Sequence, residues 1–183
     1  MPKKGTGSTQ ATRNMNAQTY NVLFLCTGNT ARSVLAEGIL RKLGAGHFKA
    51  FSAGSQPKGV VNPFALKVLA AQGFPADGYR SKSWDEFASD DAPKMDFIFT
   101  VCDSAAGEAC PYWPGHPTSA HWGIEDPASV EGSDAEKEHA FTQAFHFMKK
   151  RIEAFVALEL SHLSPQDLKT RLQAIGTLEG ASK

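Results

Sequence analysis

The chain has 183 residues, and its 19 Lys and Arg balance 19 Asp and Glu, so it carries no formal net charge at pH 7. That balance gives no reason to expect nucleic acid or an anionic membrane surface as the main partner. No apolar run approaches the roughly 20 residues of a membrane span, and the N-terminus lacks a signal peptide's apolar centre. Three cysteines, an odd number, do not form the disulfide framework of a secreted protein, so the expected compartment is the cytoplasm.

Residues 1–19 are polar, rich in Gly, Ser, Thr, Gln and Asn with Lys3, Lys4 and Arg13, and read as a disordered leader before one domain over residues 20–161. Val22-Leu23-Phe24-Leu25 then reads as a buried strand. From Arg32 on, Val34, Leu35, Ile39, Leu40 and Leu43 recur at helical spacing. Between strand and helix lies Cys26-Thr27-Gly28-Asn29-Thr30-Ala31-Arg32, a cysteine and an arginine with five residues between them. A loop of that length can turn successive backbone N–H groups into one concavity, which the helix N-terminus also faces. Such a cradle suits a tetrahedral oxyanion, with Arg32 as a bidentate clamp. A cysteine at its base is expected to have its thiolate stabilised and its pKa lowered, which makes it a nucleophile.

Phe48 to Gly54 alternates as a second strand, and the intervening helix makes the pair parallel with a right-handed crossover. Asn62-Pro63 has N-cap and N1 chemistry for a helix that stops at Gly73, and Ser81 to Ala88 holds a short helical turn. A third strand, Asp96 to Val101, delivers Cys102; Asp103 to Pro117, which contains Cys110, reads mostly as loop. Ala120 to Ile124 reads as a fourth strand ending in Glu125-Asp126-Pro127. Ser133 with Glu136 makes a capping box for a helix to about Leu160. A last amphipathic helix starts at Ser164-Pro165 and ends before Gly176, within a C-terminal extension over residues 162–183.

Alternating strands and helices predict an α/β fold, a doubly wound four-stranded parallel sheet with helices on both faces. In such sheets ligands bind at the carboxyl ends of the strands. Cys26, Cys102 and Asp126 all follow predicted strand ends and should share one rim. Asp126 is the expected general acid for a leaving oxygen. Trp122 is expected to shield the site, and Glu125 to be an ordinary loop acid. Ser33 can donate its hydroxyl to the Cys26 thiolate, and Asn29 suits a left-handed turn in the loop.

The order Cys-Thr-Gly-Asn-Thr-Ala-Arg-Ser directly after the first strand resembles the low-molecular-weight protein-tyrosine-phosphatase superfamily, which includes tyrosine phosphatases and thiol-dependent arsenate reductases. The resemblance spans about Val22 to Val156 and implies the phosphotyrosine protein phosphatase I-like fold. It also implies oxyanion binding by Thr27, Gly28, Asn29, Thr30, Ala31 and Arg32, with Asp126-Pro127 matching the superfamily's late acid.

Thr100-Val101-Cys102-Asp103, Ala109-Cys110-Pro111, His121-Trp122-Gly123 and Asp126-Pro127 together resemble the arsenate reductase branch, of the thioredoxin-coupled type. That resemblance implies that Cys26 attacks arsenate and Cys102 then attacks the Cys26 sulfur, releasing arsenite. Cys110 next exchanges into a Cys102–Cys110 disulfide, which thioredoxin or another thiol reductant clears. It further implies a potassium ion held by Asn29, Glu37, Ser52 and Asp85, and no tightly bound cofactor. Tyrosine phosphatases of the superfamily carry a proline after Arg-Ser and a tyrosine soon after Asp-Pro. This chain has Val34 and Ala128 there, which favours the reductase over a tyrosine or small-phosphoester phosphatase. A third reading, an oxyanion-binding module without turnover, would require Cys26 to be inert to alkylation at neutral pH.

Overall fold

The structure, a computed structural model, describes residues 18–107 and 113–182. Cys110 and nearly all of the proposed leader therefore lie outside the described residues. Four strands, β1 (Tyr20–Cys26), β2 (Phe48–Gly54), β3 (Phe97–Thr100) and β4 (Thr118–His121), form one parallel sheet in the order β2-β1-β3-β4. The period of two decides which side chains go where. Val22, Phe24, Phe97 and Phe99 enter the larger core, while Leu23, Leu25 and Ile98 enter a smaller one on the opposite face.

Helices α1 (Arg32–Leu43), α2 (Pro63–Ala71), α4 (Asp134–Val156) and α5 (Pro165–Gly176) supply the larger core. The other face is closed more thinly, by a 3-10 turn over Trp84–Phe87 with Met95 and Trp113. The caps follow the expected chemistry. Asn62 Oδ1 accepts from the Phe64 N–H at 2.9 Å, Ser133 Oγ from Glu136 at 3.2 Å, and Ser164 Oγ from Asp167 at 3.1 Å.

Several boundaries differ from the sequence reading. The apolar run Trp122-Gly123-Ile124 lies beyond the fourth strand, whose pairing with β3 ends at His121. It is buried as a loop: Trp122 stacks on Phe99 with ring centroids 3.7 Å apart, and its Nε1 donates to the Leu172 carbonyl at 2.9 Å. An apolar run reports burial, and here burial does not mean strand. The segment after Cys102 begins as a short helix, α3 (Asp103–Gly107), in keeping with its alanines. The long helix stops at Val156, and a separate 3-10 turn takes Leu160–His162. The last helix includes Gly176, which packs against the His121 carbonyl, where a Cβ would collide.

Strand order places β1 between β2 and β3, so the chain leaves β1 first to one side and later returns to the other. The carboxyl end of β1 is therefore a switch point with a crevice above it. Cys26 stands there, as the chain order predicts.

Candidate active site

The loop from Cys26 to Arg32 closes as a cradle because its carbonyls are held on the outside. Those of Cys26, Thr27, Gly28 and Thr30 accept from the backbone N–H groups of Ser55, Gln56, Lys58 and Asn62, at 3.2, 2.9, 3.1 and 2.9 Å. The Ser81 hydroxyl adds a bond to the Gly28 carbonyl at 2.9 Å. With the carbonyls turned out, the N–H groups are left for the inside. The close approach needs Gly54, where a Cβ would run into the Thr27 carbonyl oxygen. Asn29 makes the expected left-handed turn, at φ 49°. Sequence reading missed this outer segment, since its register against the loop is a tertiary fact.

Cys26 is 4 % exposed at the base of the cradle. Its sulfur lies 2.8 Å from Ser33 Oγ and accepts from the Asn29 N–H at 3.2 Å. Burial nevertheless pushes the thiol up from its ordinary value. The Ser33 hydroxyl opposes that push, Cys102 adds to it, and the Ser33 and Asn29 N–H groups pull back down. Burial wins, which corrects the expectation of a lowered pKa: the donors are in place, yet they do not offset lost hydration by themselves.

Arg32 is the first residue of α1 and donates through Nη1 to the Ile124 carbonyl at 2.9 Å. Its other terminal nitrogen stands 3.7 Å from Asp126 Oδ2. Asp126 also caps the 3-10 turn Pro127–Ser129 by accepting the Ala128 N–H at 3.0 Å on Oδ1. One carboxylate thus serves as turn-former and as rim acid. Cys102, 1 % exposed, follows β3, the neighbour of β1. Its sulfur lies 3.6 Å from Thr27 Oγ1 and accepts from the Ala105 N–H at 3.4 Å. The structure therefore brings Cys26, Arg32, Ser33, Cys102 and Asp126 to one rim. Trp122 is fully buried in the core and does not cover the site. Glu125 is exposed, as expected of a loop acid.

Behind the loop a polar cluster forms inside the fold. Asn29 Nδ2 donates to Ser33 Oγ at 2.8 Å and to Ser52 Oγ at 3.0 Å, and Ser52 Oγ donates to Glu37 Oε2 at 2.5 Å. Three of the four residues expected around potassium thus meet, but Asn29 enters through Nδ2, while its Oδ1 accepts the Lys82 N–H at 3.0 Å. Asp85 is exposed on the 3-10 turn, where its N–H donates to Ser83 Oγ. A second group that sequence reading missed lies beside Cys102. His121 Nε2 is 2.6 Å from Asp103 Oδ1, which also accepts from Ser182 Oγ at 2.9 Å, and His121 Nδ1 is 2.7 Å from Thr100 Oγ1. These bonds hold the Asp103 carboxyl below its usual range. Only the β3–β4 pairing and the return of the C-terminus bring the four together.

A cysteine-based oxyanion cradle at the switch point of a parallel sheet is the construction of one phosphatase class. Residues 21–170 match the low molecular weight phosphotyrosine protein phosphatase family, and the chain belongs to that family. Within it, this chain is 37% identical over 134 residues to an arsenate reductase of Halalkalibacterium halodurans, a match covering 73% of this chain and 93% of that one. It is 34% identical over 134 residues to an arsenate reductase of Bacillus subtilis, with the same coverage of 73% and 93%. Among solved structures, an arsenate reductase from Archaeoglobus fulgidus superposes with a TM-score of 0.59 at 30% identity, over 75% of this chain and 99% of that one. An arsenate reductase in its phosphate-binding state gives 0.62 at 28% identity, over 76% and 98%. Among the described residues, no helix is long and apolar enough to cross a membrane.

Proposed function

We propose that this protein is an arsenate reductase that uses Cys26 and Cys102 as its two reducing thiols. The single observation that carries the reading is Cys102: a second buried thiol just past the strand that pairs with β1, its sulfur 3.6 Å from Oγ1 of Thr27, the residue next to the nucleophile. Phosphoester hydrolysis has no use for such a group, whereas reduction of arsenate requires two electrons.

The chemistry follows from the site. Arsenate enters as a dianion, and the loop N–H groups with the Arg32 fork receive its oxygens. Because burial holds the Cys26 proton in place, the arriving dianion serves as its acceptor: the proton moves to an arsenate oxygen and the thiolate forms under the Ser33 hydroxyl. Cys26 Sγ attacks arsenic, Asp126 protonates the departing oxygen, and water leaves. Cys102 then attacks Cys26 Sγ. The sulfur–arsenic electron pair goes to arsenic, which departs as arsenite at oxidation state three, and two thiols have become the Cys26–Cys102 disulfide. Cys110 exchanges into that bridge, and a thioredoxin or another thiol reductant of the cytoplasm returns the protein to its reduced state.

Arsenite release and para-nitrophenyl phosphate hydrolysis, measured on one preparation, test this reading. Arsenite should form with a thiol reductant present, and Cys102→Ser should lose it while keeping any phosphoester hydrolysis. Hydrolysis without arsenite formation would make the protein a phosphatase with an incidental second cysteine.

A further inference from the structure

Asp103, the residue after Cys102, is met by side chains from two distant parts of the chain. Its Oδ1 lies 2.6 Å from Nε2 of His121, at the end of β4, and accepts from Oγ of Ser182, beyond α5, at 2.9 Å. His121 Nδ1 in turn lies 2.7 Å from Oγ1 of Thr100, at the end of β3. An ionised carboxylate can only accept, so in the neutral imidazole the proton sits on Nε2 and Nδ1 accepts from Thr100. Gly123 keeps open the space in which these groups meet. A Cβ there would lie 2.5 Å from Ser182 Oγ, 2.6 Å from His121 Nε2 and 2.7 Å from Asp103 Oδ1, closer than real Cβ atoms come. His121 is also pinned through its backbone, because Gly176 of α5 packs on its carbonyl.

Ser182 has its own anchor. Its N–H donates to the Gly123 carbonyl at 3.1 Å, and Ala181 bridges Ile124 in antiparallel fashion. Upstream, Arg151 of α4 is fully buried, and its guanidinium donates to the carbonyls of Phe147, Leu178 and Glu179 at 2.9, 2.9 and 3.0 Å. A buried guanidinium needs acceptors, and two of these three come from the segment after α5, which is thereby tied to the core. Cys102 stands at the other end of this chain of contacts. Its sulfur accepts from the Ala105 N–H at 3.4 Å and lies 3.6 Å from Thr27 Oγ1. Both contacts depend on the first turn of α3 staying where Asp103 is held.

We propose that Asp103, clasped by His121 and Ser182, is the positioning residue for Cys102 and keeps that thiol buried against Thr27, beside the nucleophile. The proposal rests on Cys102 being the thiol that bridges to Cys26. A thiol held in this way is shielded from reagents in solution, because they reach it only when the segment opens. The same restraint raises its effective concentration toward Cys26.

Carbamidomethylation of the reduced protein, followed separately on the Cys26 and Cys102 peptides, reads the shielding without arsenate. Asp103→Ala should react several-fold faster at Cys102 and no faster at Cys26. Asp103→Asn removes the charge but keeps an accepting oxygen, so it should stay close to wild type and separate position from charge. Ser182→Ala, which loses only the outer bond, should fall between them, and it carries the comparison if Asp103→Ala does not fold. In the Cys110→Ser background, Asp103→Ala should also need several-fold more oxidised glutathione to half-form the Cys26–Cys102 disulfide. Unchanged reactivity of Cys102 in the alanine variants would overturn the proposal. So would an asparagine variant as reactive as the alanine one, or an equal rise at Cys26, which would mean general loosening. An Asp103-containing protein that forms no such disulfide would instead refute the relay, while alkylation still decides the role of Asp103.

Discussion

Arg32 and Asp126 face each other across the mouth of the cradle, Nη2 3.7 Å from Oδ2, while Arg32 Nη1 donates to the Ile124 carbonyl at 2.9 Å. The proposed clamp and the proposed acid thus orient one another. The guanidinium keeps a loop carboxylate at the rim although the acid loop carries no regular strand to position it. In the proposed reaction an arriving oxyanion would offer Arg32 a better, bidentate partner and leave the carboxyl beside the leaving oxygen.

Asp126→Asn should therefore lower kcat for arsenate reduction by about 10²–10⁴-fold, the usual contribution of a positioned acid. Sulfate or phosphate affinity should change little, because the cradle N–H groups and Arg32 remain. Single-turnover kinetics beside anion titration separate the two, and a loss well under tenfold would give the proton to another donor. Arg32→Lys should weaken anion binding as well, since a point charge cannot reproduce the planar fork.

The pKa of Cys26 gives a pH prediction with a definite sign. Burial holds its folded value above that of the unfolded thiol, about 8.5. Between those values the unfolded chain has released a proton that the folded chain keeps. The stability this contributes is fully present below the unfolded value and is lost as pH rises toward the folded one. Urea midpoints of wild type should fall across that alkaline window, and Cys26→Ala should flatten the fall. Ser33→Ala removes the donor that opposes burial, so the alkylation profile of Cys26 should move to still higher pH. A profile centred below the ordinary thiol value would contradict the balance described for this site.

The C-terminal helix is expected to matter for stability. Leu172 is fully buried in the main core, its carbonyl accepts the Trp122 Nε1–H, and Ala181 bridges Ile124, whose own carbonyl holds Arg32. Leu172→Ala should cost about 2–5 kcal/mol in urea unfolding. A near-zero effect would mean that α5 is a loose appendage.

What could be read from the chain, and what could not, divides along physical lines. Strand β1, the cradle and the caps at Asn62, Ser133 and Ser164 were legible because each is a local pattern of a few adjacent residues. The grouping of Cys26, Cys102 and Asp126 followed from one topological rule about strand ends. The depression expected for Cys26 was wrong in sign because burial depth is a property of the assembled core. Trp122 was misread for the same reason: its partners, Phe99 and Leu172, lie far away in sequence.

The central claim is that reduction proceeds through a bridge between Cys26 and Cys102. One equivalent of arsenate added to the fully reduced Cys110→Ser variant, without external thiol, tests it most directly. Cys110→Ser removes the thiol that would reopen the bridge. One arsenite per protein should appear, the intact mass should fall by two hydrogens, and peptide mapping should join Cys26 to Cys102. Arsenite release with both thiols still free, or continued turnover by Cys102→Ser, would contradict the account.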